Sequence, residues 1–177
     1  MFRKTPVEEL NRLSIEEFKE TKKTQLIIIL DNIRSAHNTG SVFRTSDAFK
    51  IEKIFLCGIT ACPPNKEIHK TALGATDSVE WEYSNDVFAV TKELKKQGYI
   101  IVAVEQTQNS ISLVDFIPER EKKYVYIFGN EVNGVQQELI DICDLVLEIP
   151  QYGTKHSLNV SVTAGICIWD FFIKAKI

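Results

Sequence analysis

The sequence predicts an α/β fold, a mostly parallel sheet flanked by helices. Two observations carry this expectation. Residues 26–30 and 124–128 are short, continuous apolar runs rich in β-prone side chains, the pattern of strands buried on both faces. Helical patterns lie between such runs over short connections, and that alternation builds parallel sheets.

Taken in order, Thr5-Pro6-Val7-Glu8 offers an N-cap threonine, a proline at the first helical position and a glutamate that reaches back to the cap. Ser14-Ile15-Glu16-Glu17 repeats that logic, so two short helices are expected, with Val7, Leu10, Leu13, Ile15 and Phe18 available for packing. Residues 1–23 therefore read as an N-terminal helical extension and 24–177 as the main domain. A first strand is expected over 24–30, a polar loop over 31–39 and a helix over 40–49, then a second strand over 53–57. Pro63-Pro64 breaks the chain, and Asn65 caps a short helix that Gly74 stops. Residues 86–97 form the clearest helix: Val87, Val90 and Leu94 share a face, Lys95 and Lys96 suit its C-terminal dipole, and Gly98 ends it. Strands over 99–104, 124–128 and 145–149 complete the sheet. Ligands of such sheets bind beyond the carboxyl ends of the strands, which points to the loops after Leu30, Val104, Phe128 and Ile149.

A chain of 177 residues with 44% hydrophobic content fits one domain with its own core. Its longest early apolar stretch is too short to span a bilayer and its first 24 residues are too charged for a secretory signal, so a cytoplasmic protein without a membrane partner is expected. Cys57, Cys62, Cys143 and Cys167 lack paired metal-ligand spacing, as do His37, His69 and His156, so no metal is expected. A net charge of −3 argues against a protein that coats nucleic acid nonspecifically, yet leaves room for a localised basic groove.

Three strand-end segments are unusual: 32–49, 128–134 and 149–165. Each residue in them has an ordinary explanation. Asn38 fits a helix cap, Arg44 and Asp47 fit a surface ion pair, Gly129 and Gly134 fit turns, and Glu131 fits a solvated loop acid. Together and in this order, however, they resemble the three signature motifs of the SpoU/TrmH branch of the SPOUT RNA 2′-O-ribose methyltransferases. The third motif is the most specific, with Ile149-Pro150, Gly153 and then Ser157-Leu158-Asn159-Val160-Ser161-Val162. Lys70-Thr71-Ala72-Leu73-Gly74-Ala75 resembles a further family stretch, and the likeness runs from about Leu26 to the C-terminus.

That resemblance implies a C-terminal trefoil knot, a homodimer, S-adenosylmethionine as cofactor and RNA, tRNA or rRNA, as partner. It also implies a helix where Leu158, Val160, Val162, Ala164, Ile166 and Ile168 alternate like a strand. Arg44 matches the family arginine that activates the 2′-hydroxyl; a guanidinium is a very poor base at neutral pH, so positioning and charge stabilisation are the expected role. Asn38, Ser157 and Asn159 match polar residues that orient the ribose, the arginine or the cofactor tail, and Glu131 matches an acid supporting the loop or the arginine. Cofactor binding falls to Val104, Glu105, Gly129, Ile149, Gly153 and Leu158. A noncatalytic RNA-binding or assembly protein with the same fold is the alternative. Neither a G-x-G-x-x-G turn nor the full glycine spacing of a phosphate loop is present, which disfavours a dinucleotide oxidoreductase and a nucleotide hydrolase.

Overall fold

The structure is a computed structural model that describes residues 2–175. Seven strands form one sheet: β1 (Thr24–Asp31), β2 (Ile51–Cys57), β3 (Trp81–Ser84), β4 (Ile100–Val104), β5 (Ile111–Ser112), β6 (Tyr124–Phe128) and β7 (Leu145–Glu148). Their order is β3-β2-β1-β6-β4-β7-β5, and every adjacent pair is parallel. The helices are α1 (Ile15–Glu20), α2 (Ala36–Ala48), α3 (Lys66–Ala72), α4 (Ala75–Ser78), α5 (Val87–Lys96), α6 (Gln137–Ile140) and α7 (Val160–Lys174).

The apolar runs explain the layers. Side chains alternate across a strand, so Leu26, Ile28 and Leu30 of β1 join Tyr124, Tyr126 and Phe128 of β6 in a core that also takes residues of α1, α2, α3, α4 and α7. Ile27, Ile29, Val125 and Ile127 face the other way, into a second core with Val87 and Leu94 of α5 and Leu139 of α6. Each fully buried Leu or Ile contributes roughly 1.5–3 kcal/mol, and central strands buried on both faces concentrate that gain in β1 and β6. Among the described residues, no helix is long and apolar enough to cross a membrane.

Several expectations need correction. Thr5 does not cap an α-helix; Val7–Leu10 is a single 3₁₀ turn that ends at Asn11, whose backbone is left-handed. Ser14 does form the expected capping box with Glu17. Phe18 of α1 is buried in the main core, which anchors α1 there. The helix expected over 40–49 begins at Ala36, because Ser35 caps it by accepting from the Asn38 N–H. Strands β3 and β5 and helices α4 and α6 carry too few residues to leave a periodic signal and were not expected. Residues 160–174 are helical despite their strand-like alternation. The reason is that α7 is apolar on two faces: Val160, Ala164, Cys167, Ile168 and Phe171 are buried, while Val162, Ile166, Trp169 and Ile173 are exposed.

Gly40 sits inside α2 at the closest approach of α3. A Cβ there would lie 2.1 Å from Thr71 Oγ1 and 2.4 Å from the Ile68 carbonyl oxygen. Gly→Ala inside a helix ordinarily stabilises by up to about 1 kcal/mol; here the contact reverses the sign. Gly40→Ala is expected to lower stability by about 1–3 kcal/mol in urea unfolding, and a neutral or stabilising result would show that α2 and α3 separate at little cost.

Candidate active site

Loops leaving the carboxyl ends of β4, β6 and β7 enclose a cavity of about 740 Å³. Its wall includes Val104 and Glu105 after β4, Gly129 and Glu131 after β6, and Ile149, Ser157, Leu158 and Asn159 after β7. This is where a parallel sheet with a reversal of strand order is expected to bind a ligand.

The loop after β6 is folded back on itself. Asn130 Oδ1 accepts from the Val132 and Asn133 N–H groups at 2.9 and 2.8 Å, and Gly134 N–H donates to the Asn130 carbonyl at 3.0 Å. A Cβ on Gly129 would lie 2.1 Å from the Gly134 carbonyl carbon and oxygen, so only glycine fits. Gly134 has φ +64 and gives way to the Glu105 carboxylate, which a Cβ would meet at 2.0 Å. Glu105 in turn accepts from the Val135 and Gln106 N–H groups at 3.0 and 2.8 Å. It lines the cavity while its carboxylate anchors the neighbouring loop.

Glu131 joins this loop to the one after β1. Its carboxylate accepts from the Arg34 N–H at 3.1 Å, the Ser35 N–H at 3.3 Å and Asn38 Nδ2 at 3.0 Å. Because a carboxylate only accepts, the Asn38 amide must turn its NH₂ towards Glu131, leaving Oδ1 to accept from Asn159 Nδ2 at 3.1 Å and Ser161 Oγ at 3.4 Å. Asn159 Oδ1 meanwhile caps α7 through the Ser161 and Val162 N–H groups. A third link ties Gln106 Nε2 to the His156 carbonyl at 2.8 Å. Beneath them, Thr60 Oγ1 fixes the loop after β1 by accepting from the Ile33 N–H and facing the Leu30 and Cys57 carbonyls.

The structure therefore brings together Asn38, Glu131 and Asn159 by direct hydrogen bonds, and gathers Val104, Glu105, Gly129, Ile149, Ser157 and Leu158 around one cavity. Asn38 is not the helix cap; that is Ser35. Gly153 does not line the cavity, and a Cβ there would meet no atom of the protein within 4 Å. Arg44 lies outside the cavity wall. Six residues beyond Asn38, it projects about 120° around the helix, on the stripe of His37, whose Nε2 meets Glu67 at 2.6 Å. Its side chain is exposed, without a hydrogen-bond or ion-pair partner among the described residues, and the alternative ion pair with Asp47 is not formed; Asp47 accepts from Ser78 Oγ at 2.5 Å. Sequence reasoning missed Ser161, Gln106 and the Arg34 and Ser35 N–H groups; Ser161 was legible only as a member of the third motif, and backbone donors leave no sequence signal.

Residues 25–169 match the SpoU rRNA Methylase family. The chain belongs to that family. It is 32% identical over 162 residues to the tRNA (guanosine(18)-2′-O)-methyltransferase of Aquifex aeolicus, covering 88% of this chain and 72% of that one. It is 31% identical over 151 residues to the 23S rRNA (guanosine-2′-O-)-methyltransferase RlmB of Nitrosomonas europaea, covering 83% of this chain but only 55% of RlmB. The chain thus spans little more than half the length of that relative. Its fold is similar to the A. aeolicus TrmH/SpoU tRNA modifying enzyme, with TM-score 0.81 and 28% identity over 92% of this chain and 81% of that one. An AdoMet-bound rRNA methyltransferase from Sinorhizobium meliloti, 24% identical, shares the fold with TM-score 0.78, covering 87% of this chain and 59% of that one.

Family membership gives the Glu131 junction its interest, and pH tests it. Burial raises the carboxyl's affinity for a proton, but donation from the Arg34 backbone, its own backbone, Asn38 and Ser35 outweighs burial, so its pKa lies below the usual 4.5. A carboxyl lowered on folding stabilises the fold above its unfolded pKa, and the gain is lost as pH falls through the folded value. Unfolding midpoints measured between neutral pH and pH 3 are expected to fall less steeply below 4.5 in Glu131→Gln than in the parent chain; parallel curves would mean the carboxylate contributes nothing.

Proposed function

We propose that this chain is an S-adenosylmethionine-dependent RNA methyltransferase that modifies a ribose 2′-hydroxyl of tRNA or rRNA in the cytoplasm. The observation that carries this reading is the hydrogen-bonded junction of Asn38, Glu131 and Asn159, one residue from each family motif, at the mouth of a cavity walled by Val104, Gly129, Ile149 and Leu158. The volume, about 740 Å³, suits a nucleoside-sized ligand, since such pockets run roughly 300–1,000 Å³.

The cavity's charge suits this cofactor. Glu105, Glu131 and Glu148 line it, with no Lys or Arg among the lining residues. A phosphorylated nucleotide would be repelled there, whereas a sulfonium and an ammonium are attracted. When bound, the cofactor supplies an activated methyl group and needs no metal. Loop backbone around Gly129, Ile149 and Leu158 would hold its adenosine, and Glu105 and Glu131 would keep the site electronegative.

On this reading Asn38 and Asn159, oriented by Glu131, position the ribose, with Ser157 beside them. The unpaired guanidinium of Arg44 holds an RNA phosphate and stabilises charge at the reacting oxygen rather than taking a proton itself; the hydroxyl proton leaves to water as the carbon–oxygen bond forms and the carbon–sulfur bond breaks. Since Arg44 lies outside its own chain's cavity, it serves a site shared between two copies. The exposed face of α7 supports such a homodimer: Val162, Ile166, Trp169 and Ile173 recur at helical spacing beside Phe49, whose ring is 5.3 Å from Trp169. The knot belongs to the same reading. It is supported by the return of the chain after β7 to pack α7 against α2, on the far side of β6.

Incubating the chain with methyl-labelled S-adenosylmethionine and cellular RNA, then identifying labelled nucleosides after nuclease digestion, tests the activity. The expected product is a 2′-O-methylnucleoside; tight cofactor binding with no transfer would instead favour a noncatalytic RNA-binding protein. Arg44→Ala is expected to lower turnover about 100-fold or more with cofactor affinity intact, while Leu158→Asp weakens the cofactor about tenfold. Near-normal turnover of Arg44→Ala would remove Arg44 from the mechanism. Ile166→Asp with Trp169→Asp is expected to sediment as a monomer and lose activity, and a fully active monomer would contradict the shared site.

A further inference from the structure

A second concavity, about 560 Å³, opens at the opposite end of the sheet. It lies at the amino ends of the adjacent strands β2, β1 and β6, where Lys22 and Lys23 lead into β1, Lys50 precedes β2, and Arg120 and Lys122 precede β6. Two acids, Glu119 and Glu121, share the groove. The side chains of Lys22, Lys50, Arg120 and Lys122 have no hydrogen-bond or ion-pair partner among the described residues. Lys23 is held by the Phe18 carbonyl and stands 3.8 Å from the Phe18 ring centroid. Burial, and then the nearby Lys50 ammonium, push the Lys23 ammonium down, although Asp47 and Glu80 act in the opposite sense. Positive charge is therefore gathered here in a protein whose net charge is −3.

Cations that repel one another are offset by an anionic partner, and five of them, four with unpaired side chains, contributed by three separate segments suit a chain of phosphates better than one. The groove's two aromatic residues, Phe171 and Phe172, are buried and half-buried, so neither projects as a membrane anchor would. We propose that this groove is a second RNA-contact surface, holding the phosphate backbone of the substrate away from the modified nucleotide. The proposal rests on the RNA-methyltransferase reading above and adds to it. Strands of five to eight residues separate groove and cavity, which is about 17–26 Å at roughly 3.3 Å per residue. A folded RNA can reach both, while a short fragment around the target nucleotide cannot. The proposal also gives residues 1–23 a task, because the junction of that extension with β1 supplies two of the cations.

Binding of bulk tRNA to the full chain, measured by filter retention across a potassium chloride series, tests this. The triple variant Lys22→Glu, Lys50→Glu, Lys122→Glu is expected to bind at least about tenfold more weakly at moderate salt, with the log–log salt slope shallower by about two to three. The milder Lys→Gln triple variant should move both quantities in the same direction by less. Unfolding midpoint and S-adenosylmethionine affinity, recorded on the same preparations, should match the parent chain. Unchanged tRNA affinity and slope in a folded, cofactor-binding variant would overturn the proposal and leave the methyltransferase reading intact. So would loss of tripolyphosphate binding with tRNA affinity retained, which would make the groove a small-anion site. Failure of the parent chain to bind the cofactor would sink the methyltransferase reading instead.

Discussion

The geometry of the site depends on one carboxylate. Glu131 offers only acceptors, and the N–H groups of Arg34 and Ser35 and the amide of Asn38 occupy them. That choice fixes which way Asn38 points, and Asn38 then presents its oxygen to Asn159 and Ser161 at the start of α7. Three segments, up to 123 residues apart in the chain, are thus held in register by a series of charge-assisted and neutral hydrogen bonds. The sheet sets the positions of β1, β6 and β7, and this junction sets the positions of their loops.

Charge is divided along the sheet axis. The cavity at the carboxyl ends is lined by Glu105, Glu131 and Glu148, and the groove at the amino ends by Lys22, Lys23, Lys50, Arg120 and Lys122. An acidic pocket suits a cationic methyl donor, and the same pocket would repel RNA were phosphate contacts not provided elsewhere. Arg44 and the basic groove provide them on this account, which resolves how a chain of net charge −3 handles a polyanion. Exposed apolar side chains on α7 leave a face that, on the proposed reading, a second copy covers.

Much of this was legible in the residues. Continuous apolar runs at β1 and β6, the capped helices α3 and α5, and the strand-end location of the ligand loops all follow from periodicity and capping chemistry. The short elements β3, β5, α4 and α6 were not legible, since two to four residues cannot establish a period. Helix α7 was misrepresented by its own composition: with one face packed inside and another apolar outside, its sequence alternates as a strand does, and only the resemblance predicted a helix. At the site, Asn38, Glu131 and Asn159 were identified from motifs, but the bonds joining them were not, because amide orientation and backbone donors depend on tertiary approach. The motifs do not give placement: Gly153 lies away from the cavity wall, and Arg44 is exposed outside the cavity that its own chain builds.

The most direct test of the convergent site is a crystal structure of the chain grown with S-adenosylhomocysteine. The account predicts ligand density between Val104, Gly129, Ile149 and Leu158, with the Asn38–Glu131–Asn159 contacts intact beside the sulfur end. Density elsewhere, or a ligand that binds here only after those three side chains have separated, would contradict it.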